Sequence, residues 1–213
     1  NALPDGPRVA TLLTQVEVDP ADPAFRHPTK PVGPVYEREE AERLSKSRGW
    51  AVAPDGDKYR RVVASPLPKH IPDVSVIKLL LEQNVIVVCA GGGGIPVVRR
   101  PDGGLMGVEA VIDKDRSAEL LAQDLRADAL VMLTDVDAVY RNWGQPDQTV
   151  VRKAVSGELD PGDFPAGSMR PKVEAASAFV RATGGMAGIG ALEDALAILE
   201  RRAGTVFSDP DAE

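Results

Sequence analysis

Residues 85–96 read VIVVCAGGGGIP, and residues 109–116 read EAVIDKDR. An apolar run of strand length thus stops at four glycines, and the charged triplet Asp113-Lys114-Asp115 opens a helical pattern. Glycines after a buried strand let backbone N–H groups approach a ligand, and they reach positive φ without strain. Anions bind at such turns, at the carboxyl ends of sheet strands. The stretch therefore predicts an anion site at the glycines, with a simple turn between core elements as the alternative.

Strands and helices alternate outward from this stretch, and most of the predicted strands are apolar throughout. This pattern is typical of a parallel sheet covered on both faces. It predicts an α/β fold, a three-layer sandwich with a mostly parallel central sheet. The predicted strands are Val9–Val18, 85–90, 129–134, 188–190 and 204–207, and the predicted helices are 73–84, 117–125, 191–201 and one beginning at Pro171. A hairpin turn is predicted at residues 100–104, which read RPDGG.

Residues 19–66 differ from the rest because they are rich in proline, which forbids regular structure and keeps the backbone extended. A charged helix at 37–48 and a hairpin turn at 54–57 are predicted within them. We therefore expect residues 1–18 and 67–213 to form the core, and residues 19–66 to form a small protruding subdomain inserted in it.

The composition of the 213 residues predicts a globular protein and excludes several classes. A net charge of −7 without a dominant basic patch argues against general nucleic-acid binding. No apolar run approaches the ~20 residues that a membrane span needs, and the first residues do not resemble a signal peptide. The single cysteine, Cys89, excludes an intrachain disulfide, suits the cytoplasm, and is expected in the core. The chain starts without methionine and enters a strand at once, which resembles the middle of a protein.

Three lysines are candidates for holding an anion. Lys114 lies between two carboxylates just before a helix, where anions are favoured. Lys172 follows Pro171, a natural first helical residue, so it lies in a first turn, where a cation opposes the helix dipole unless an anion is bound. Lys30 lies on a loop stiffened by prolines. The alternative for each lysine is an ordinary solvated side chain, with Asp115 as a helix cap.

Other polar residues carry weaker signals. Asp135 and Asp137 follow a buried strand at its carboxyl end, where ligands gather in α/β sheets, although turn capping explains them equally well. His27 and His70 lie in proline-rich loops without a nucleophile or a second histidine nearby, so neither a triad nor a zinc site is expected. The glycines match neither a phosphate-loop NTPase nor a dinucleotide-binding fingerprint.

Taken together, five segments resemble the carbamate kinases, which have the amino-acid-kinase fold. They occur in the family's order along nearly the whole chain: residues 13–19 (LTQVEVD), 28–34 (PTKPVGP), 91–97 (GGGGIPV), 109–115 (EAVIDKD) and 167–176 (GSMRPKVEAA). The resemblance implies reversible phosphoryl transfer between ATP and carbamate, giving ADP and carbamoyl phosphate, in arginine catabolism. It also implies a cytoplasmic homodimer that uses Mg²⁺ carried by the nucleotide.

The resemblance also assigns roles to residues of this sequence. Lys114 and Lys172 would hold the transferring phosphoryl group, oriented by Asp115, and Lys30 would lie on a lid formed by the inserted subdomain. The remaining roles are phosphate or substrate binding by Gly91, Gly92 and Gly93, and nucleotide binding by Asp135, Tyr140 and Met169. No residue is assigned to a protein-held metal.

Carbamate is already an anion, so its attack on phosphorus needs cations and N–H donors rather than a catalytic histidine. The family opens with a strand that ends in Gly-Gly-Asn, and these residues contain no such segment, so they are expected to correspond to its carboxyl-terminal two-thirds. Two alternatives stay open: another amino-acid kinase acting on an acyl carboxylate or a nucleoside phosphate, and a non-catalytic relative that only binds a nucleotide or a partner.

Overall fold

The computed structural model describes residues 6–165 and 167–209. The chain divides into two compact units, Asn1–Lys114 (unit 1) and Asp115–Glu213 (unit 2). The division falls in the first turn of one helix, α3, Lys114–Leu125. No helix in the described ranges is both long and apolar enough to cross a membrane.

The described part of unit 1, residues 6–114, contains nine strands, two α-helices and a short 3-10 helix, Pro23–Phe25. The strands are β1 (Arg8–Thr11), β2 (Gln15–Val18), β3 (Lys30–Tyr36), β4 (Val52–Asp55), β5 (Lys58–Val63), β6 (Pro68–His70), β7 (Val85–Val88), β8 (Ile95–Arg99) and β9 (Leu105–Gly107); the helices are α1 (Arg38–Arg48) and α2 (Val74–Glu82). Four strands form one sheet in the order β6-β2-β8-β9, in which β2 and β8 are parallel. A separate two-stranded sheet contains β1 and β7, which are also parallel. The predicted hairpins at 54–57 and 100–104 are confirmed, since β4 pairs with β5 and β8 pairs with β9 in antiparallel fashion.

The predicted single strand Val9–Val18 is wrong, because the chain breaks at residues 12–14 into β1 and β2. Thr14 explains the break. Its hydroxyl accepts a hydrogen bond from the N–H of Ala90 at 2.8 Å, and its carbonyl accepts one from the N–H of Ile95 at 2.8 Å. The backbone thus leaves the strand at Thr14 to satisfy two amides that flank the glycine run, which would otherwise be unpaired.

The strand before the glycines, β7, is less buried than its apolar sequence predicts. Ile86 and Val88 are each 50% exposed, since β7 pairs only with β1 among the described residues. Cys89, expected in the core, is also only partly buried, and this burial raises the pKa of its thiol.

Unit 2 is built on one four-stranded sheet of order β10-β14-β15-β13. Its strands are β10 (Ala129–Thr134), β11 (Val139–Arg141), β12 (Thr149–Val151), β13 (Lys153–Val155), β14 (Met186–Ala191) and β15 (Thr205–Ser208); besides α3, its helices are α4 (Met169–Thr183) and α5 (Ala195–Leu199). β10 is parallel to β14, and β13 is parallel to β15. The core packs α4 against this sheet, with Val173, Phe179 and Phe207 fully buried. The central pair of this sheet, β14 and β15, is antiparallel. The predicted α/β class with mostly parallel pairing is confirmed.

The last predicted helix, 191–201, is shorter in the structure. A 3-10 turn, Leu192–Asp194, precedes α5, which ends at Leu199. The helix ends because Arg201, just after its last turn, has a φ of 60°, a left-handed conformation that interrupts a helix. Within the helix, Ile198 packs on β14. A Cβ at Gly188 would lie 2.3 Å from Ile198 Cγ2, and one at Gly190 would lie 2.8 Å from Ile198 Cδ1. The two glycines leave room for Ile198 on one face of β14.

This contact predicts that Gly188→Ala is destabilising. The added methyl group would displace the buried Ile198, and overpacking of this kind costs about 1–3 kcal/mol of unfolding free energy. Urea unfolding followed by circular dichroism measures the change. The matched control is Gly107→Ala, also in a strand, where an added Cβ meets nothing within 4 Å. Equal stability of the two variants would contradict this packing argument.

Candidate functional site

The four glycines after β7 fall into two pairs with different surroundings. Gly91 and Gly92 have φ values of 60° and 129°, and a Cβ on either would meet nothing within 4 Å. In contrast, a Cβ on Gly93 would lie 1.9 Å from the carbonyl oxygen of Ile112, and one on Gly94 would lie 2.4 Å from Val16. Gly93 and Gly94 therefore allow the loop to pack against its neighbours, and Gly91 and Gly92 leave backbone facing open space.

Lys30, on the proline-rich loop, is held close to this part of unit 1. Its Nζ donates a hydrogen bond to Asp113 Oδ2 at 3.0 Å, and the side chains are 32% and 11% exposed. Asp113 directly follows Ile112, against which Gly93 packs. Unit 1 thus brings the loop lysine and the glycine run to the same two residues, 112 and 113. The sequence indicated each of these features separately, but not that they meet.

Lys114 and Asp115 are the first two residues of α3 and have opposite environments. Lys114 is exposed, whereas Asp115 is 5% exposed. A carboxylate in the first turn is favoured by the helix dipole. Asp115 is therefore suited to hold a cation inside unit 2.

That cation is Lys172. Its Nζ donates a hydrogen bond to Asp115 Oδ2 at 2.9 Å, and both side chains are 7% exposed. The surface-lysine alternative is therefore wrong. The predicted helix start is also two residues late, because α4 begins at Met169 and Pro171 is its third residue. Proline is tolerated there since the N–H groups of the first turn have no partner within the helix.

A cavity of about 240 Å³ in unit 2, which we call the Tyr140 cavity, brings together residues singled out from the sequence. Asp135, Tyr140, Met169 and Lys172 all line it. Asp135 lies just beyond the carboxyl end of β10, and Met169 and Lys172 come from the first turn of α4. This location matches the rule that ligands bind beyond the carboxyl ends of parallel strands. The buried ammonium group of Lys172 provides a positive charge at the cavity wall.

The sequence did not single out the aromatic side chains of this cavity. Trp143 and Phe164 line it as well, and the Tyr140 and Trp143 rings meet edge to face with centroids 5.1 Å apart. Trp143 is nevertheless 58% exposed, which is unusual for a residue that is mostly apolar. Its signal in the sequence was weak, since a lone tryptophan in a polar loop has no periodic pattern. The cavity therefore combines an aromatic wall with one buried cation.

Asp137 supports Tyr140 rather than lining the cavity. The Tyr140 hydroxyl donates to Asp137 Oδ1 at 2.6 Å, and Arg152 Nη2 donates to Asp137 Oδ2 at 3.1 Å. The bond from Tyr140 is the main reason that the pKa of Asp137 is lowered, and Arg152 contributes further. The same bond raises the pKa of Tyr140, because the carboxylate favours the protonated phenol. Tyr140 is thereby kept neutral and fixed in orientation.

The described residues offer no cage of side chains for a metal ion. No group of three or more His, Cys, Asp or Glu side chains in 6–165 and 167–209 could hold one. A divalent cation with strong phosphate ligands needs only one or two protein oxygens.

The buried pair predicts a specific loss of stability. Replacing Asp115 by Asn would leave the Lys172 ammonium buried without a countercharge, which lowers the free energy of unfolding by about 3–5 kcal/mol. Chemical denaturation measures the difference. The control is Arg38→Gln, which breaks the exposed Arg38–Glu42 pair of α1 and should cost under about 0.5 kcal/mol. A similar small effect for both variants would argue against a buried charge at Lys172.

Comparison with known proteins relates this site to a family. The sequence model of the Amino acid kinase family matches residues 46–189. A carbamate kinase from Haemophilus influenzae is 52% identical over 205 residues, which are 96% of this chain and 66% of that protein. A carbamate kinase from Rhizobium meliloti is 50% identical over 210 residues, which are 98% of this chain and 65% of that protein. The chain thus spans about two thirds of the length of these relatives.

A solved structure shows the same fold. The carbamate kinase from Giardia lamblia bound to AMP-PNP superposes with a TM-score of 0.88 and is 40% identical. The alignment covers 98% of this chain and 67% of that one. The resemblance to carbamate kinases is therefore confirmed by sequence and by structure, and the chain belongs to the amino acid kinase family.

Proposed function

We propose that the protein is a carbamate kinase, which transfers a phosphoryl group reversibly between ATP and carbamate to give ADP and carbamoyl phosphate. The observation that carries the proposal is the buried Lys172, which is paired with Asp115 and lines the Tyr140 cavity. The relatives that share about half of its residues are carbamate kinases.

The chemistry of this reaction fits a site built from lysines and glycines. In the ATP-consuming direction, a carbamate oxygen forms a bond to the γ-phosphorus, and the bond from that phosphorus to the β,γ-bridging oxygen breaks, leaving its electron pair on ADP. Carbamate is an anion, so no proton has to be removed from the nucleophile. The barrier comes mainly from bringing two anions together, and preorganised cations and N–H donors lower it.

In unit 2, Lys172 is the proposed stabiliser of the transferring phosphoryl group. Its ammonium is largely excluded from water, so its field is screened less than that of a surface lysine. Asp115 fixes the position of this ammonium through the 2.9 Å hydrogen bond. We therefore assign Asp115 an orienting role.

In unit 1, the proposed phosphate and substrate groups are Lys114, Lys30 and the backbone of Gly91, Gly92 and Gly93. Gly91 and Gly92 leave room for an anion, and Gly93 allows the loop to pack close to Asp113. Lys30 is held by Asp113 and would act from the inserted subdomain, residues 19–66, as a lid. This division into insertion and core is part of the proposal.

The nucleotide is proposed to bind at the Tyr140 cavity, beside Asp135, Tyr140 and Met169. An aromatic wall suits a nucleobase, since base–aromatic stacking contributes about 1–3 kcal/mol per base. Mg²⁺ is proposed to enter with the nucleotide phosphates, where it would neutralise part of their charge.

The pathway, the cellular location and the oligomeric state are proposed from the resemblance to the carbamate kinases alone. They are ATP formation in arginine catabolism through the arginine deiminase pathway, a cytoplasmic location and a homodimer. The single cysteine agrees with a reducing compartment.

The activity is tested by the choice of phosphoryl donor. Full-length protein should form ATP from ADP and carbamoyl phosphate, and Lys172→Ala should lower this turnover by at least ~10²-fold, the scale of losing one charge stabiliser. Lys46→Ala, an exposed lysine of α1, is the control and should retain full activity.

Circular dichroism at the assay temperature is the control that shows whether each variant is folded. ATP formation from acetyl phosphate instead would assign the protein to another amino acid kinase reaction. Absence of ATP formation with retained ADP binding would indicate a non-catalytic nucleotide-binding protein. Unchanged turnover of Lys172→Ala would refute the role of Lys172.

The aromatic wall makes a separate prediction about nucleotide affinity. Trp143→Ala should raise the Kd for ADP by roughly tenfold, in line with the loss of one stacked ring. Trp50→Ala is the matched control, because the Trp50 ring is in unit 1 and contacts the guanidinium groups of Arg48 and Arg61 there. Isothermal titration measures both. Equal Kd values for ADP in the two variants would indicate that the nucleobase does not stack on Trp143.

A further inference from the structure

Unit 2 contains a second cavity, of about 430 Å³, whose lining is strongly basic. Four cationic side chains line it, from Arg152, Lys153, Arg201 and Arg202, and we call it the arginine cavity. None of the described residues that line it is acidic, although the whole chain has a net charge of −7. Arg202 also pairs with Glu200 beside the cavity, but both side chains of this pair are exposed, at 67% and 46%, so the pair is weak. It shares no lining residue with the Tyr140 cavity.

The arginine cavity lies at the ligand-binding edge of the sheet. β10 and β14 are parallel and end together, with Thr134 opposite Ala191. The position of a Cβ on Gly190, near the end of β14, lies 2.9 Å from the carbonyl oxygen of Asp137 and 3.1 Å from the Cα of Gly204. Gly204 lines the arginine cavity. The cavity is therefore next to the carboxyl ends of parallel strands, where α/β proteins bind ligands.

The turn that carries two of the arginines is held in place before any ligand binds. The N–H of Arg201 bonds to Ile198 O at 2.9 Å, and the N–H of Arg202 bonds to Ala197 O at 2.7 Å. Arg201 has a φ of 60°, a conformation that residues other than glycine rarely adopt outside a defined turn, and Gly204 has a φ of 73°, which glycine adopts without strain. A fixed backbone reduces the entropy lost when an anion orders the side chains.

The third arginine connects this cavity to Tyr140. Arg152 lines the arginine cavity and also donates to Asp137, the carboxylate that holds the Tyr140 hydroxyl. The Arg152 and Asp137 side chains are 54% and 46% exposed, and ion pairs this exposed are weak. An anion with more than one charge can therefore compete with Asp137 for the guanidinium group.

We infer that the arginine cavity binds a small anion that carries a diphosphate group, at a place separate from the phosphoryl group bound by Lys172. The planar guanidinium group matches phosphate oxygens in a bidentate manner, and three of the four cations are arginines. The volume lies within the range of about 300–1,000 Å³ that is typical of ligand sites. This inference does not depend on the proposed reaction.

The test is isothermal titration of the protein with pyrophosphate at low ionic strength. We expect saturable binding that weakens as NaCl is added, because the contacts are exposed charges. Arg201→Gln/Arg202→Gln should lower the affinity about tenfold or more, since bonds to charged groups are lost. The matched control is Arg38→Gln/Arg43→Gln, which removes the same charge from exposed pairs of α1 and should bind as the parent does.

A second variant keeps the test decisive if the double variant does not fold. Lys153→Gln, at an exposed position of β13, should also weaken pyrophosphate binding. Parallel titrations with ADP identify the source of the diphosphate: weaker ADP binding in the cavity variants assigns it to a nucleotide, and unchanged ADP binding assigns it to a free polyphosphate. Absence of saturable pyrophosphate binding, or equal affinity in the parent and the cavity variants, would overturn the inference.

Discussion

The ion pair between Lys172 and Asp115 is the interaction on which the candidate site in unit 2 depends. Two charges that are each 93% removed from solvent are costly to bury, and they are tolerated only as a hydrogen-bonded pair. The pair joins the first turns of α3 and α4, so it restricts how these helices can pack. It also holds the lysine ammonium at the wall of the Tyr140 cavity. Helix packing and the charge of the site are thus set by the same contact.

Glycine provides a second constraint, because two close approaches in the fold leave no room for a side chain. In unit 1, Gly93 packs on the carbonyl of Ile112, which precedes the aspartate that holds Lys30. In unit 2, Gly188 and Gly190 accommodate Ile198, which anchors α5 and the turn that follows it. Each approach places a charged segment, Lys30 with Asp113 or Arg201 with Arg202, at a defined position. The absence of a Cβ at these glycines therefore allows the segments that carry these cations to pack as they do.

Much of the fold was predictable from local patterns. The strand Ala129–Thr134, the hairpins at 54–57 and 100–104, and the alternation of strands and helices follow from hydrophobic period and turn residues. The errors occurred where tertiary contacts compete with local preference. Thr14 ends a strand because it bonds to amides 76 and 81 positions away, and the helix after β14 ends early, where Arg201 adopts a positive φ. No periodic signal in the sequence encodes such partners.

The sequence by itself determined the α/β class, the family resemblance and the residue types of the site: lysines, glycines and carboxylates in a fixed order. These features follow from hydrophobic periodicity, turn residues and motif spacing, all of which depend only on residues that are close together in the sequence. Only the tertiary structure decided which residues are neighbours. In the folded chain, Lys30 pairs with Asp113 and Lys172 pairs with Asp115. Asp137 contacts both Tyr140 and Arg152, and four cationic side chains line one cavity. The physical reason is that burial and charge pairing depend on distances in space between residues that are far apart in the chain.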